Sequence, residues 1–96
     1  MIPAMIIHDS DTVAVALRDI AAGERIEIGA ISMLVRDPIP HGHEFALRNH
    51  AQGDLVLKYG YPICHAKVAI GPGEHVHSHN LATSLNAEVE VSYRHS

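Results

Sequence analysis

The sequence predicts an all-β fold, a single small domain, on three observations. Isoleucine and valine together number 18 against seven leucines, and β-branched side chains suit a pleated, half-buried surface. Apolar and polar residues alternate over short stretches, with no lasting 3.6-residue period. Gly, Pro, Asp and Asn recur between those stretches, where they permit turns.

Taken in order, the expected strands are residues 5–8, 12–18, 25–28, 31–36, 44–48, 55–58, 65–70, 74–79 and 88–93. Val13, Val15 and Leu17 share one face of the second, and Val89, Val91 and Tyr93 one face of the last. Residues 18–28 and 48–58 also admit a short helical turn, and residues 80–86 a short helix or a loop. The tail, residues 93–96, is expected to fray. Four segments share one template: residues 20–26 (Ile-Ala-Ala-Gly-Glu-Arg-Ile), 39–45 (Ile-Pro-His-Gly-His-Glu-Phe), 50–56 (His-Ala-Gln-Gly-Asp-Leu-Val) and 70–76 (Ile-Gly-Pro-Gly-Glu-His-Val). Their glycines, Gly23, Gly42, Gly53 and Gly73, are placed to reverse the chain. Spacings of 19, 11 and 20 residues between them argue against a solenoid of fixed period.

With 96 residues, 47% hydrophobic, the chain supports one domain and excludes an enzyme with an interdomain cleft. A formal net charge of −4 argues against a nucleic-acid partner. The apolar stretch from Met1 to Ile7 is far shorter than the roughly 20 residues of a membrane span. It also lacks the flanks of a signal peptide. One cysteine, Cys64, cannot form an internal disulfide, which fits a cytoplasmic protein. Exposed strand edges would allow self-association.

Nine histidines are the unusual feature. If residues 73–80 (Gly-Glu-His-Val-His-Ser-His-Asn) are extended, His75, His77 and His79 form a row on one face, roughly 6.5–7 Å apart. Two imidazoles of such a row, with ligands from elsewhere, suit one divalent cation. The alternative is an exposed histidine face with surface hydrogen bonds only. Val76 is then core-facing, and Asn80 lies beyond the row with an amide that donates and accepts. Elsewhere, His8 reads as a turn residue, and His41 and His43 flank a glycine turn. Arg18 and Arg48, each in an Ala-Leu-Arg triplet, read as structural partners of Asp19, Glu24 or Asp54, or else as forks for a carboxylate. Lys58 reads as solvated and Cys64 as a buried, inert thiol.

Several of these segments, in this order, resemble the SAF-type amino-terminal domain of altronate and galactarate dehydratases. They are Ile7-His8, the run from Asp11 to Leu17, residues 39–48 (Ile-Pro-His-Gly-His-Glu-Phe-Ala-Leu-Arg), 58–63 (Lys-Tyr-Gly-Tyr-Pro-Ile) and 73–80. The resemblance covers residues 5–93, and the last motif is the most specific. It extends to small subunits of altronate dehydratase (UxaA) type and, as a competitor, to the small subunit of sulfolactate sulfo-lyase. It implies a β-clip fold and hydro-lyase chemistry, the removal of water from a sugar acid to give a 2-keto-3-deoxy acid. It also implies Fe²⁺ or Mn²⁺ and a separately encoded large catalytic subunit. Carried over by position, His8, His43, Arg48 and Asn80 are expected to bind substrate. His77 and His79 are expected to be catalytic, and His75, His77 and His79 to bind metal. Glu44, Asn49, His50 and Cys64 depart from the family pattern. A free-standing module binding a sugar acid or a metal, and a purely structural cap on a larger enzyme, are the alternatives.

Overall fold

The computed structural model describes residues 2–83, which form nine β-strands and no helix. They are β1 (Ala4–Met5), β2 (Val13–Ala16), β3 (Arg25–Ile28), β4 (Ile31–Leu34), β5 (Glu44–Ala46), β6 (Leu55–Lys58), β7 (Tyr61–Ala66), β8 (His75–Val76) and β9 (Leu81–Ala82). A central antiparallel sheet has the order β1-β2-β5-β8, β3 and β4 form a two-stranded hairpin, and β6-β7-β9 form a third sheet. The all-β expectation is met.

The central sheet is covered on both faces, so β2 and β5 each contribute to two cores. Ala4, Ala14, Ala16 and Phe45 face the β3–β4 hairpin and pack with Ile20, Ile26, Val35 and Ile39. Val13, Ala46 and Val76 face the β6–β7 hairpin and pack with Val56, Cys64, Ala66 and Ile70. Each large apolar side chain so buried contributes roughly 1.5–3 kcal/mol relative to exposure. Both faces of β2 are covered: Val13 is buried, Val15 half-buried and Leu17 exposed, while Ala14 and Ala16 are fully buried.

Residues 16–45 and 46–76 repeat one backbone plan. Ile20 and Ile39 exchange N–H···O bonds of 2.9 and 2.8 Å, and His50 and Ile70 do the same at 2.8 Å both ways. The Gly23 N–H donates to Val35 O and the Gly53 N–H to Ala66 O, both at 2.8 Å. Gly42 and Gly73 likewise donate to Ala16 O and Ala46 O at 2.8 Å. The glycine spacings alternate because each half holds two turns. A register shift between Val56 and Leu57 supplies the one residue by which the second half is longer.

Strands β3 and β6 have the expected bounds. Strand β7 begins at Tyr61, earlier than the expected 65, because Tyr59 (φ +58°) and Gly60 (φ +76°) make a two-residue turn with both φ values positive. The expected strand at 74–79 shrinks to β8, because residues 77–80 turn: Asn80 N and Leu81 N both donate to His77 O, at 3.1 and 2.9 Å. Neither 18–28 nor 48–58 contains a helical turn, and β9 occupies the start of 80–86. The strand expected at 88–93 and the tail lie outside the described residues.

Candidate metal centre

Pairing of β5 with β8 builds the site. In this ladder Phe45 stands opposite His75 and Glu44 opposite Val76. Alternation along β5 puts His43, just before the strand, on the same face as Phe45 and therefore as His75. The approach to β8 is held tightly. Gly73 has φ +84°, and a Cβ there would lie 2.2 Å from Leu34 O. The Arg36 N–H donates to Gly73 O at 2.8 Å, and Asp37 Oδ2 accepts the His75 N–H at 2.9 Å.

Asn80 secures the far side. Its amide, only 4% exposed, accepts the His77 N–H through Oδ1 and donates through Nδ2 to His75 O, both at 2.9 Å. This is the Asx-type capping expected of an asparagine at a turn. The residue therefore spends its polar atoms on the main chain that presents the histidines.

Four imidazoles gather as a result. His43 Nδ1 and His75 Nε2 are 2.9 Å apart, so one of the two nitrogens carries the hydrogen between them. The His43 ring stacks on His75 at 5.1 Å and on His77 at 5.0 Å between centroids. His75 and His77 are stacked at 5.7 Å, and His79 lies tilted against His75 at 5.6 Å. Burial lowers the His75 pKa below the ordinary 6.5, and neighbouring His43, His79 and His77 lower it further, against a smaller opposing effect of Asp37. For His75 this favours the neutral form, which is the form that binds metals.

His43, His75 and His77 each offer one nitrogen, and these three atoms all lie within 4.8 Å of one another. Two nitrogens bound at right angles, each about 2.0–2.1 Å from one ion, stand about 2.9 Å apart, so the His43–His75 separation fits a shared ligand shell. The donor set is three imidazole nitrogens, suited to borderline divalent ions such as Fe²⁺, Zn²⁺ and, less tightly, Mn²⁺.

The wall beside His77 is a cleft of about 340 Å³ that also includes Glu44, Ile63, Cys64 and Leu81. Lys58 is not the solvated lysine expected: it is half-buried, with Nζ 2.6 Å from Glu44 Oε2. Burial pushes its ammonium pKa down, but the hydrogen bond and charge of Glu44 outweigh this and hold it above 10.5. Cys64 is buried as expected, and burial pushes its thiol up, with a smaller contribution from Glu44. A larger hollow of about 450 Å³ lies around Ile20, Pro38 and Pro40, with no histidine in its lining.

The expected site residues thus divide. His43, His75, His77 and His79 come together, and Asn80 supports them through the backbone. His43, expected as a substrate contact, stands among the three potential ligands, whereas His79 stacks on the group and is not one of the three. His8 sits in a turn, its Nδ1 accepting from Ser10 N at 3.1 Å and facing Ser10 Oγ at 2.8 Å. Arg48 is exposed, and its counterpart Arg18 pairs with Glu24. Among the described residues, no hydrogen bond, ion pair or ring contact links His8 or Arg48 to the cluster. Sequence reasoning missed Asp37 and the Glu44–Lys58 pair; neither stands in a local pattern, because both partners are brought in by the fold.

No helix among the described residues is long and apolar enough to cross a membrane. Comparison with known sequences shows that the family described as the altronate/galactarate dehydratase SAF domain matches residues 2–84. The chain is 46% identical over 87 residues to altronate dehydratase of Bacillus subtilis (strain 168), covering 91% of this chain and 18% of that protein. It is 44% identical over 88 residues to altronate dehydratase of Escherichia coli (strain K12), covering 92% and 18%. It is 33% identical over 86 residues to (2R)-sulfolactate sulfo-lyase subunit alpha of Chromohalobacter salexigens, covering 81% of this chain and 92% of that one. The chain therefore spans less than a fifth of the length of the two altronate dehydratases.

Proposed function

The chain belongs to the altronate/galactarate dehydratase SAF-domain family, and from that premise we propose that it is the small component of a metal-dependent hydro-lyase acting on a sugar acid. In this reading the larger catalytic body is a separate chain, and the acid is of altronate or galactarate type. The observation that carries it is the trio His43, His75 and His77, half-buried to exposed, with donor atoms within 4.8 Å of one another.

Dehydration of a 2,3-dihydroxy acid removes the proton beside the carboxylate and expels the neighbouring hydroxyl as water; the enol formed then tautomerises to the 2-keto-3-deoxy product. His43, His75 and His77 would hold the divalent ion. Bound there, Fe²⁺ or Mn²⁺ would supply Lewis acidity toward the carboxylate and the charge that develops as the proton leaves. His79, exposed and tilted against His75, is available to pass a proton to or from the reacting acid. Asn80 keeps the His75 and His77 main chain in place and Gly73 fixes the approach, so the imidazoles need little reorganisation when a ligand arrives.

The test is complementation. The B. subtilis altronate dehydratase, truncated to remove the part that aligns with this chain, is mixed with the chain and assayed for loss of altronate and galactarate. The expected result is activity that depends on the chain, on Fe²⁺ or Mn²⁺, and on His75 and His77. Full activity with a chain carrying His75→Ala and His77→Ala would remove the site assignment. A second reading, a subunit of a sulfo-lyase, is favoured by the 92% coverage of subunit alpha from C. salexigens. Sulfite release from sulfolactate in the corresponding mixture with that enzyme's remaining subunit distinguishes it.

A further inference from the structure

We propose that Asp37 is the positioning residue of the three-histidine site, acting through the main chain of His75; this rests on the metal reading above. His75 is the hub of the cluster. Its ring meets His43 at 2.9 Å and lies against both His77 and His79. A small rotation of its backbone would therefore disturb three of the four ring pairs. Strand β8 has only two residues and lies at the edge of the central sheet, where the outward N–H of an edge strand ordinarily meets solvent. Here that group is taken by the Asp37 carboxylate at 2.9 Å, from 38 residues earlier in the chain.

The rest of the arrangement is directional. On one side Ala46 N donates to Glu74 O at 2.9 Å, and on the C-terminal side Asn80 grips His75 O and the His77 N–H. Asn80 is local and holds the turn. Asp37 holds the His75 amide from the first half of the domain, next to the Arg36 N–H that grips Gly73 O. The acceptor is charged, and a charge-assisted bond is shorter and stronger than a neutral one. Carboxylates that orient metal-binding histidines usually do so at the free ring nitrogen. At this site the carboxylate acts one step back, on the amide of the residue that carries the ring.

Cobalt(II) alone, added to the full chain and followed by visible absorption, provides the test. Asp37→Ala is expected to lose cobalt affinity by about tenfold or more and to change the d–d band, whereas Asp37→Asn, which keeps an oxygen acceptor, stays within about threefold of the parent chain. In the metal-free chain, hydrogen exchange at the His75 amide should speed up in Asp37→Ala and remain slow in Asp37→Asn. Asp54→Ala removes a comparable carboxylate bond, to the Ala51 N–H at 2.8 Å, away from the cluster, and should leave cobalt binding unchanged. Asp37→Glu keeps the charge but displaces the acceptor, and is expected to bind more weakly than Asp37→Asn even if Asp37→Ala does not fold. Equal losses in Asp37→Ala and Asp37→Asn, or stronger binding by Asp37→Glu than by Asp37→Asn, would overturn the proposal. No cobalt binding by the parent chain would remove the metal reading and this inference with it. Parent binding with an indifferent Asp37→Ala would remove the inference alone.

Discussion

Ile20 and His50 hold equivalent places in the two halves of the domain. Each closes a reciprocal backbone pair, and each is buried, at 2% and 3% exposure. Their side chains differ completely. Ile20 fills the first core, whereas His50 Nε2 meets Thr12 Oγ1 at 2.8 Å and its buried Nδ1 meets no hydrogen-bond partner among the described residues. The pattern recurs along the hairpins. Ile28 is buried where the second half has Lys58, and Gly29 (φ +58°) has Tyr59 as its counterpart at the same φ. Backbone closure in both halves rests on turns and bridges, so side chains can change without changing the plan. At these positions the second half is polar, and Lys58 reaches Glu44, the residue beside His43. The difference teaches that one backbone plan, with a core in each half, carries apolar side chains at these positions in the first half and polar ones in the second.

The largest expected effect separates two equivalent glycines. Gly42 (φ +87°) and Gly73 (φ +84°) both need a left-handed backbone, which costs another residue about 1–2 kcal/mol. A Cβ at Gly42 meets nothing within 4 Å, while one at Gly73 meets Leu34 O at 2.2 Å. Overpacking adds roughly 1–3 kcal/mol, so Gly73→Ala should lose clearly more stability than Gly42→Ala in urea unfolding. Equal losses would show the two turns to be alike.

Next comes the anchor of the second hairpin tip. Asp11, 7% exposed, accepts the N–H groups of His8, Tyr59 and Gly60 at 3.0, 3.2 and 2.8 Å. The first half has no such carboxylate under Gly29 among the described residues. Asp11→Ala should cost about 2–3 kcal/mol by leaving these donors unmet, with hydrogen exchange rising at Tyr59 and Gly60 but not at Gly29.

A smaller effect depends on pH. Burial lowers the His50 pKa below 6.5, with a smaller lowering by Arg48 and opposing contributions from the Arg48 backbone and Asp54. The unfolded chain therefore takes up a proton before the folded one does. Stability attributable to His50 is full above about pH 6.5 and falls as pH drops toward the depressed folded value, by at most about 1.4 kcal/mol per pH unit. His75, lowered in the same direction, adds a similar slope. His50→Ile, which copies the first half, should flatten the acid limb of a plot of urea midpoint against pH; an unchanged limb would assign the acid sensitivity elsewhere.

Smallest is Tyr59→Gly. It relieves a left-handed tyrosine but loses the contact of Lys58 Nζ with the ring at 5.0 Å and adds chain entropy, so thermal unfolding should move by less than about 1 kcal/mol.

Much of this plan was legible in the sequence. Strands β3 and β6 stand out because each is a short run rich in apolar residues flanked by glycine turns, and β3 also alternates over its four residues. The four-fold turn template was visible, but the duplication of half on half was hidden by one inserted residue and by pairs as unlike as Ile20 and His50. The histidine group was legible as a row, not as a cluster. Its strand form failed because the Asn80 side chain caps a turn at residues 77–80, a choice decided by burial of that amide. His43 joins the group only through the β5–β8 ladder, and long-range pairing leaves no local trace.

The most direct test of the account is titration of the 96-residue chain with Zn²⁺, followed by NMR of the histidine side chains. Saturation at one ion per chain, with His43, His75 and His77 shifting together while His8, His41 and His50 stay in place, is the predicted result. Weak shifts spread over all the histidines, or no saturable change, would contradict a metal centre on this domain.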